Sequence, residues 1–326
     1  MRRHLAGALA VMALIAGCGG TGTTTEPSAP PAAPTGAFPV TITHALGATT
    51  IPAAPTRVVA LSYEQDLLSQ VGMQVVGHNE NAVTPGAPYP WEEGKVDLAG
   101  SEVVVDAAQN VNLEAVAALA PDLILATNLS TIEQFYPQLS QIAPTVAYTA
   151  GWNKDSWQES ATTVGKALGR EADIATVVAG VEQHVAGIAA ELPGLAGKTY
   201  ASAYYYEPGR FVVPTDPDAT IVRVYNQLGL EIDPTVSSSV QNRLLSAEQS
   251  GLLDVDYLQL SSAGPDLRSQ LFADPLFSSL GVVRDGRYSE TDESGGVAAN
   301  YPTVLNIPWS LDQQVDVLRK VAAEAG

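Results

Sequence analysis

Short apolar runs alternate with helix-like segments along the first half of the chain. The predicted strands are RVVAL (57–61), QVVGHN (74–79), DLILA (122–126) and TVAY (145–148). The predicted helices between them are EQDLLSQVG (64–72), NLEAVAALA (112–120) and TIEQFYPQLSQIA (131–143). A β-rich hairpin with a glycine turn, VTITHALGATTI (40–51), precedes them. Continuous apolar strands separated by helices are typical of a parallel sheet that is covered on both faces.

A helical stretch follows, and the alternation then resumes. No proline occurs from Ser156 to Leu192, and only LGRE (168–171) interrupts the helical spacing. The pattern predicts two helices, the second from Ala172 to Leu192 and about 31 Å long. The later elements are TYASAYYY (199–206), DATIVRVYNQLG (218–229), LEI (230–232), SAEQSGLL (246–253), VDYLQL (255–260), PLFSSL (275–280) and a last helix from Leu311.

The two halves of the chain repeat the same sequence patterns. Each ends its first predicted strand with Tyr-Glu, at Tyr63-Glu64 and at Tyr206-Glu207. Each also places a glutamate eight residues before an aspartate that opens a strand, at Glu114 and Asp122 and at Glu248 and Asp256. The repetition predicts two similar lobes joined once, by the long helix.

The N-terminus has the pattern of an export signal. Arg2 and Arg3 precede an apolar stretch that is too short to span a bilayer permanently, and LIAGC resembles the bacterial lipoprotein signal. We expect lipidation at Cys18, the only cysteine; the alternative is an ordinary signal peptide with an incidental cysteine. Residues 18–37 contain no large apolar side chain, which predicts a disordered tether after a signal peptide of residues 1–17.

The chain is strongly acidic. It has 16 Lys and Arg against 35 Asp and Glu, and loss of Arg2 and Arg3 with the signal would deepen the imbalance. Phosphate recognition needs clustered basic side chains, so nucleic acid is a poor partner and none is expected. The charge also disfavours strongly anionic ligands, although one local arginine would override the average.

At this point the chain resembles the ferric-siderophore class of ABC-transporter substrate-binding proteins, whose relatives carry haem or cobalamin. The matching residues are TRVVALSYEQDLLSQVG (56–72), NLEAVAALAPDLILA (112–126), the uninterrupted helix and GVVRDGRYSE (281–290). The resemblance implies an α/β fold of two Rossmann-like lobes with mostly parallel sheets, bridged by one long helix, with the ligand in the cleft. We therefore expect an N-terminal lobe (38–155), connecting helices (156–196) and a C-terminal lobe (197–326).

Given that fold, tyrosines at the strand ends are predicted to contact the ligand. In open α/β sheets, ligands lie outside the carboxyl ends of the strands, where Tyr63 and Tyr204 to Tyr206 are found. Tyrosine offers a flat apolar face and an orienting hydroxyl. Strand alternation should point Tyr204 and Tyr206 one way and Tyr205 the other. The alternative is simple packing between sheet and helix.

Other side chains are weighed for the same cleft, each against a structural role. Arg210 would meet ligand oxygens or pair with Glu207; Arg223 would reach the cleft or form a structural ion pair. The remaining predicted contacts are Tyr89 and Trp91 in a proline-rich loop that its own tryptophan would otherwise pin, Asn128, Trp152, and Trp309, which would otherwise pack the last helix.

Glu114 and Glu248 are predicted to dock the protein on its importer. The resemblance implies one surface carboxylate on each lobe that meets arginines of the permease, and both glutamates begin a predicted helix. The alternative is stabilisation of that helix start by negative charge.

The sequence thus leads us to expect an exported, lipid-anchored monomer on the outer face of the cytoplasmic membrane. It would capture an iron(III)–siderophore complex and deliver it to an ABC importer, with no cofactor of its own and no catalysis. Haem or cobalamin is the alternative ligand, and an exported enzyme is the rival class, disfavoured because G-x-S-x-G is absent. His44, His78 and His184 show no metal-binding spacing, so no metal site is expected.

Overall fold

The computed structural model describes residues 38–324. The predicted signal peptide, the predicted lipidation site Cys18 and the whole predicted tether lie outside the described residues. The strands are β1 (Val40–His44), β2 (Gly47–Ile51), β3 (Val58–Ala60), β4 (Val75–Asn79), β5 (Glu102–Val105), β6 (Leu123–Ala126), β7 (Thr145–Ala147), β8 (Thr199–Glu207), β9 (Arg210–Val212), β10 (Glu231–Ile232), β11 (Leu244–Ser246), β12 (Tyr257–Ser262) and β13 (Tyr288–Thr291).

The helices alternate with the strands in both halves of the chain. They are α1 (Glu64–Gln70), α2 (Leu113–Ala118), α3 (Ile132–Ile142), α4 (Trp157–Leu168), α5 (Glu171–Glu191), α6 (Thr220–Gln227), α7 (Pro234–Ser239), α8 (Pro265–Ala273), α9 (Pro275–Ser278), α10 (Gly281–Arg284), α11 (Glu293–Asn300) and α12 (Asn306–Ala323), with 3-10 helices at Pro193–Leu195 and Ala247–Leu253. None of those in residues 38–324 is long and apolar enough to cross a membrane.

The first sheet has five parallel strands in the order β5-β4-β3-β6-β7. Its central strands β3 and β6 are buried on both faces, as the continuous apolar runs predicted: Val58, Val59, Leu123 and Ile124 have no exposed surface. We call this sheet and its helices the first lobe. The hairpin predicted before it is also confirmed, because β1 and β2 pair antiparallel.

The second sheet is mixed, in the order β11-β9-β8-β12-β13, with β10 beside the start of β8. β8, β10, β12 and β13 are parallel, whereas β9 pairs antiparallel with β8, and β11 pairs antiparallel with β9. The sequence predicted the parallel strands β8, β10 and β12 but missed β9, β11 and β13, and in the first sheet it missed β5. We call this sheet and its helices the second lobe. The predicted α/β fold with two sheets is confirmed.

Two helices connect the lobes, as predicted. A capping box between Ser156 and Glu159 starts α4, and Gly169 ends it in the left-handed conformation with φ 65°. Arg170 is buried at the break and donates from Nη2 to the Val71 carbonyl at 3.2 Å. The helix predicted over Ala172–Leu192 is α5, and it packs against α4, α12, α6 and α1.

Two predicted elements differ in detail. The last helix begins at Asn306 rather than Leu311, and SAEQSGLL forms a 3-10 helix. Side chains of both lobes share one hydrophobic core, which contains Leu125 of the first sheet and Tyr257 of the second. The predicted lobe boundaries near residues 155 and 196 stay predictions.

A buried carboxyl pair links the first lobe to the segment before α12. Asp66 on α1 has no exposed surface, and the Thr303 hydroxyl donates to its Oδ2. Glu92 is also buried; its Oε1 accepts from Gln65 Nε2 at 3.0 Å, and its Oε2 accepts from the Tyr89 N–H at 2.8 Å. Burial, followed by repulsion from Glu92, raises the pKa of Asp66 well above its ordinary value.

The Asp66→Asn variant tests this link through the pH dependence of stability. The folded chain binds the Asp66 proton more tightly than the unfolded chain, so the contribution of this group to stability falls as the pH rises above about 4. Asparagine has no such proton. We therefore expect the free energy of unfolding of Asp66→Asn, relative to the native chain, to rise between pH 4.5 and pH 8.

Urea unfolding at several pH values measures the difference. Asp316→Asn is the control, because Asp316 is highly exposed on α12 and its difference from the native chain should stay constant. A constant or falling difference for Asp66→Asn would contradict a buried, protonated carboxyl at this position.

Candidate functional site

The strand order of the first sheet creates a crevice at the carboxyl ends of β3 and β6. The chain winds from β3 to β4 and β5 on one side and then returns to β6 and β7 on the other. Ligands of doubly wound sheets lie at such a switch point. Two loops meet there, one carrying Ser62 and Tyr63 after β3 and the other carrying Thr127 and Asn128 after β6.

The Glu64 carboxylate fixes the two loops against each other. It is buried, and it accepts bonds from the N–H and hydroxyl of Ser62 at 2.8 and 2.7 Å. It also accepts from the N–H and hydroxyl of Thr127 at 2.6 and 2.8 Å. The Asn128 N–H in turn donates to the Ser62 hydroxyl at 2.9 Å. Because these N–H and hydroxyl groups of both loops are hydrogen-bonded to Glu64 or to each other, this edge is preorganised.

The corresponding edge of the second lobe carries Tyr204 and Tyr206. Their rings lie 6.4 Å apart, and both side chains are partly exposed. Tyr205 points the other way, where it is buried 4.9 Å from the Phe211 ring and its hydroxyl accepts from the Gly209 N–H. The predicted alternation of the three tyrosines is confirmed.

Helix α11 supports Tyr204 from behind. The Tyr204 hydroxyl donates to Glu293 Oε1 at 3.3 Å, and burial together with this carboxylate raises the pKa of Tyr204 to about 12. Gly296 lies so close that a Cβ there would be 3.2 Å from the Tyr204 ring. The glycine therefore lets the helix contact the ring directly, and Tyr204 keeps its phenol proton at neutral pH.

A pocket of about 530 Å³ of empty space, part of it open to solvent, lies between the first lobe, α4 and the segment before α12. The Tyr301 ring lies 5.1 Å from the Tyr63 ring on its wall. The lining residues are Ser62, Tyr63, Glu64, Leu67, Thr127, Asn128, Asp155, Trp157, Ser160, Ala161, Val164, Thr220, Tyr301, Pro302, Thr303 and Val304. Tyr63 and Asn128 are therefore predicted ligand contacts that do border a pocket.

Tyr89, Trp91 and Trp309 instead form an aromatic stack. Tyr89 lies 5.7 Å from Tyr63 and stacks on Trp91 at 4.5 Å, and Trp91 meets the edge of Trp309 at 5.2 Å. Tyr89 and Trp91 are each only 1% exposed. The loop is thus pinned by its own tryptophan, Trp309 packs the last helix, and ligand contact by these three side chains gains no support from their positions.

The two predicted arginines are held by carboxylates. Arg210 is exposed and lies 3.1 Å from Glu207, and the Tyr206 hydroxyl and then Glu207 raise the pKa of Arg210. Arg223 Nη2 lies 3.0 Å from Asp218, and its Nη1 is 3.9 Å from Glu159. The ion pairs that were the structural alternatives for Arg210 and Arg223 are therefore both present. Both arginine side chains nevertheless remain partly exposed to solvent.

The loop after β7 brings Trp152 to the surface beside Asn128. Trp152 is 39% exposed, and the N–H of its neighbour Asn153 donates to Asn128 Oδ1 at 3.1 Å. Asp155 ends the loop; its carboxylate accepts from the N–H groups of Thr149 and Ala150. An exposed tryptophan at this edge is available to a ligand.

Sequence reasoning missed Arg243. Its Nη2 donates to Asn300 Oδ1, its Nε is buried without a partner, and burial lowers its pKa. It lies in the turn just before β11, with φ 64°. Because β11 reaches the cleft only through antiparallel pairing with β9, no local pattern placed Arg243 near Tyr301.

The histidines and the surface glutamates occupy separate places. His44 bonds Thr49, His78 bonds Ser101 and His184 pairs with Asp312. No group of three His, Cys, Asp or Glu within residues 38–324 could hold a metal ion. Glu114 and Glu248 are exposed in the first turns of α2 and of the 3-10 helix Ala247–Leu253.

Known proteins resemble this chain in sequence and in architecture. The probable siderophore-binding lipoprotein YfiY of Bacillus subtilis (strain 168) is 27% identical over 284 residues, which cover 80% of this chain and 84% of that protein. A periplasmic solute binding protein from Mycobacterium smegmatis str. MC2 155 superposes with a TM-score of 0.75 at 28% identity, covering 87% of this chain and 99% of that one. PiaA of Streptococcus pneumoniae TIGR4, solved with ferrichrome, shares the fold with a TM-score of 0.73 at 21% identity, covering 88% of this chain and 99% of that one.

The profile of the family described as Periplasmic binding protein matches residues 58–294, which span both sheets. The resemblance carried by the sequence motifs is confirmed. The chain therefore belongs to the Periplasmic binding protein family, a family of substrate-binding proteins.

Proposed function

We propose that this protein captures an iron(III)–siderophore complex between its lobes and delivers it to an ABC importer. The observation that carries the proposal is the pair of strand-end edges, the Ser62–Asn128 edge of the first lobe and the Tyr204–Tyr206 edge of the second. Flat aromatic faces with neutral hydroxyl and amide groups suit a large, oxygen-rich chelate. The name of the relative YfiY supports the same substrate class.

The ligand contacts we propose are drawn from both lobes. Tyr63, Asn128 and Trp152 would contact it from the first lobe, and Tyr204, Tyr206 and Arg243 from the second. Arg210 and Arg223 would act only after releasing their carboxylates. Iron enters as cargo within its chelator, and the protein supplies orientation without catalysis or a resident cofactor.

Haem is disfavoured by the positions of the histidines. Haem iron is commonly held by histidine, and none of His44, His78 and His184 lines the pocket. An apolar tyrosine-bearing cleft still accepts large rings, so haem belongs in the test as a competitor.

Anchoring and delivery complete the proposal. Lipid on Cys18 would hold the protein at the outer face of the cytoplasmic membrane, and residues 18–37 would give it reach. The exposed glutamates Glu114 and Glu248 would meet the permease, one from each lobe, and the protein would act as a monomer.

A tryptophan-quenching titration of the mature chain with a ferric hydroxamate tests the ligand. Trp152 is exposed and Trp157 lines the pocket, so a bound ferric complex should quench fluorescence saturably. We expect Tyr206→Ala to weaken affinity about tenfold, because a buried aromatic contact contributes roughly 1–2 kcal/mol.

The controls separate binding from folding and delivery. Leu276→Ala truncates an apolar side chain that is 45% exposed on α9 and should bind like the native chain. The double variant Glu114→Gln, Glu248→Gln should bind equally well but lose uptake in cells. Quenching by haem alone, or by no ferric siderophore, would overturn the proposed ligand.

A further inference from the structure

The pocket between the lobes contains buried carboxylates and no cation. Glu64 and Asp155 both line it, with 4% and 7% of their surfaces exposed. Lys, Arg and His are absent from its lining residues. Glu64 accepts only from N–H and hydroxyl groups, and Asp155 accepts only from N–H groups. Since these donors are neutral, no charge within the pocket cancels the two carboxylates.

The cations at the rim, by which we mean the residues next to the pocket wall and to the tyrosine edge, are paired with carboxylates. Lys154 pairs with Asp216, Arg210 pairs with Glu207, and Arg223 pairs with Asp218. Each pair has a carboxylate for its cation, so the rim presents ion pairs rather than a basic patch.

Two further charged groups, Glu293 and Arg243, lie on the second lobe outside the residues that line the pocket. Glu293 accepts from the Tyr204 hydroxyl and adds a negative charge beside the tyrosine edge. Arg243 is the exception among the cations, because its bond goes to the neutral Asn300 amide oxygen. A single half-buried guanidinium does not offset Glu64, Asp155 and Glu293 together.

We infer that the cleft selects ferric chelates that carry no net negative charge, such as neutral or cationic trishydroxamates, over polyanionic triscatecholates. The inference rests on the proposed function and narrows its substrate class. An anion that enters this pocket would lose water beside two buried carboxylates and gain no free cation. The outer oxygens of a hydroxamate chelate, in contrast, need only neutral donors such as the Tyr206 hydroxyl and the Asn128 amide, together with one guanidinium.

Calorimetric titration with three ferric chelates of different charge tests the selection. The probes are a neutral trishydroxamate, a trishydroxamate with a free amine and a triscatecholate, each at 20 and 200 mM NaCl. We expect the hydroxamates to bind at least about 100-fold more tightly, because facing like charges costs several kcal/mol. Binding of the triscatecholate should improve with salt, which screens repulsion.

The outcomes separate this inference from the proposed function. Tighter binding of the triscatecholate, or weakening of its binding with salt, would overturn the charge selection and leave iron-chelate capture standing. No binding of any ferric chelate would overturn both.

A matched pair of variants tests the cause. Asp218→Asn removes the 3.0 Å partner of Arg223 and leaves only Glu159, at 3.9 Å. Asp218 lies two residues before Thr220 of the pocket wall, so this variant should raise low-salt affinity for the triscatecholate about 3- to 10-fold with the neutral chelate unchanged within twofold. Asp316→Asn frees Arg319 in the same way on the exposed face of α12 and should change neither affinity. Equal effects from both variants, or none from Asp218→Asn, would contradict local charge as the cause.

Discussion

The buried carboxylate of Glu64 is the interaction on which the first-lobe edge depends. A carboxylate out of water is stable only when its oxygens are fully bonded, and here Ser62 and Thr127 supply four donors. Hydrogen bonds to a charged group contribute roughly 1.5–3 kcal/mol each. The same bonds hold together the loops after β3 and β6, which leave the sheet in different directions at its switch point. One side chain thus fixes the relative position of the two loops that shape this edge.

The second-lobe edge reaches a similar result by different means. Its tyrosines are held by close contact with α11, where Gly295 and Gly296 leave room for Thr291 and for the Tyr204 ring. The two lobes then meet through the segment before α12, because Tyr301 stacks near Tyr63 and Thr303 bonds Asp66. The pocket is therefore bounded by the hydrogen-bonded edge of the first lobe, by α4 and by this segment.

Local patterns predicted most of the fold because buried parallel strands and amphipathic helices leave periodic signals. The alternation of Tyr204 to Tyr206 followed from strand geometry alone. β9 and β11 were missed because each has three residues, too few for a period, and they form only by pairing with β8 and with each other. Arg243 was missed for the same reason.

The roles of aromatic residues were harder to predict than their secondary structure. A tryptophan in a proline-rich loop has the same local sequence whether it contacts a ligand or pins the loop. The difference for Trp91 is its contact with Trp309, which comes from the far end of the chain. Likewise, pairing of Arg223 with Asp218 and Glu159 depends on tertiary structure, although each partner was visible in the sequence.

The central claim is that the ligand lies between the two strand-end edges, and hydrogen–deuterium exchange tests it most directly. Exchange should be measured on the mature chain with and without a saturating ferric trishydroxamate. Slower exchange is expected in peptides covering 61–64, 127–128, 204–210 and 300–304, and unchanged exchange in the groove lined by His78, Pro88 and Val103 beside β4 and β5. Protection confined to that groove, or absent from either edge, would contradict a ligand held between the lobes.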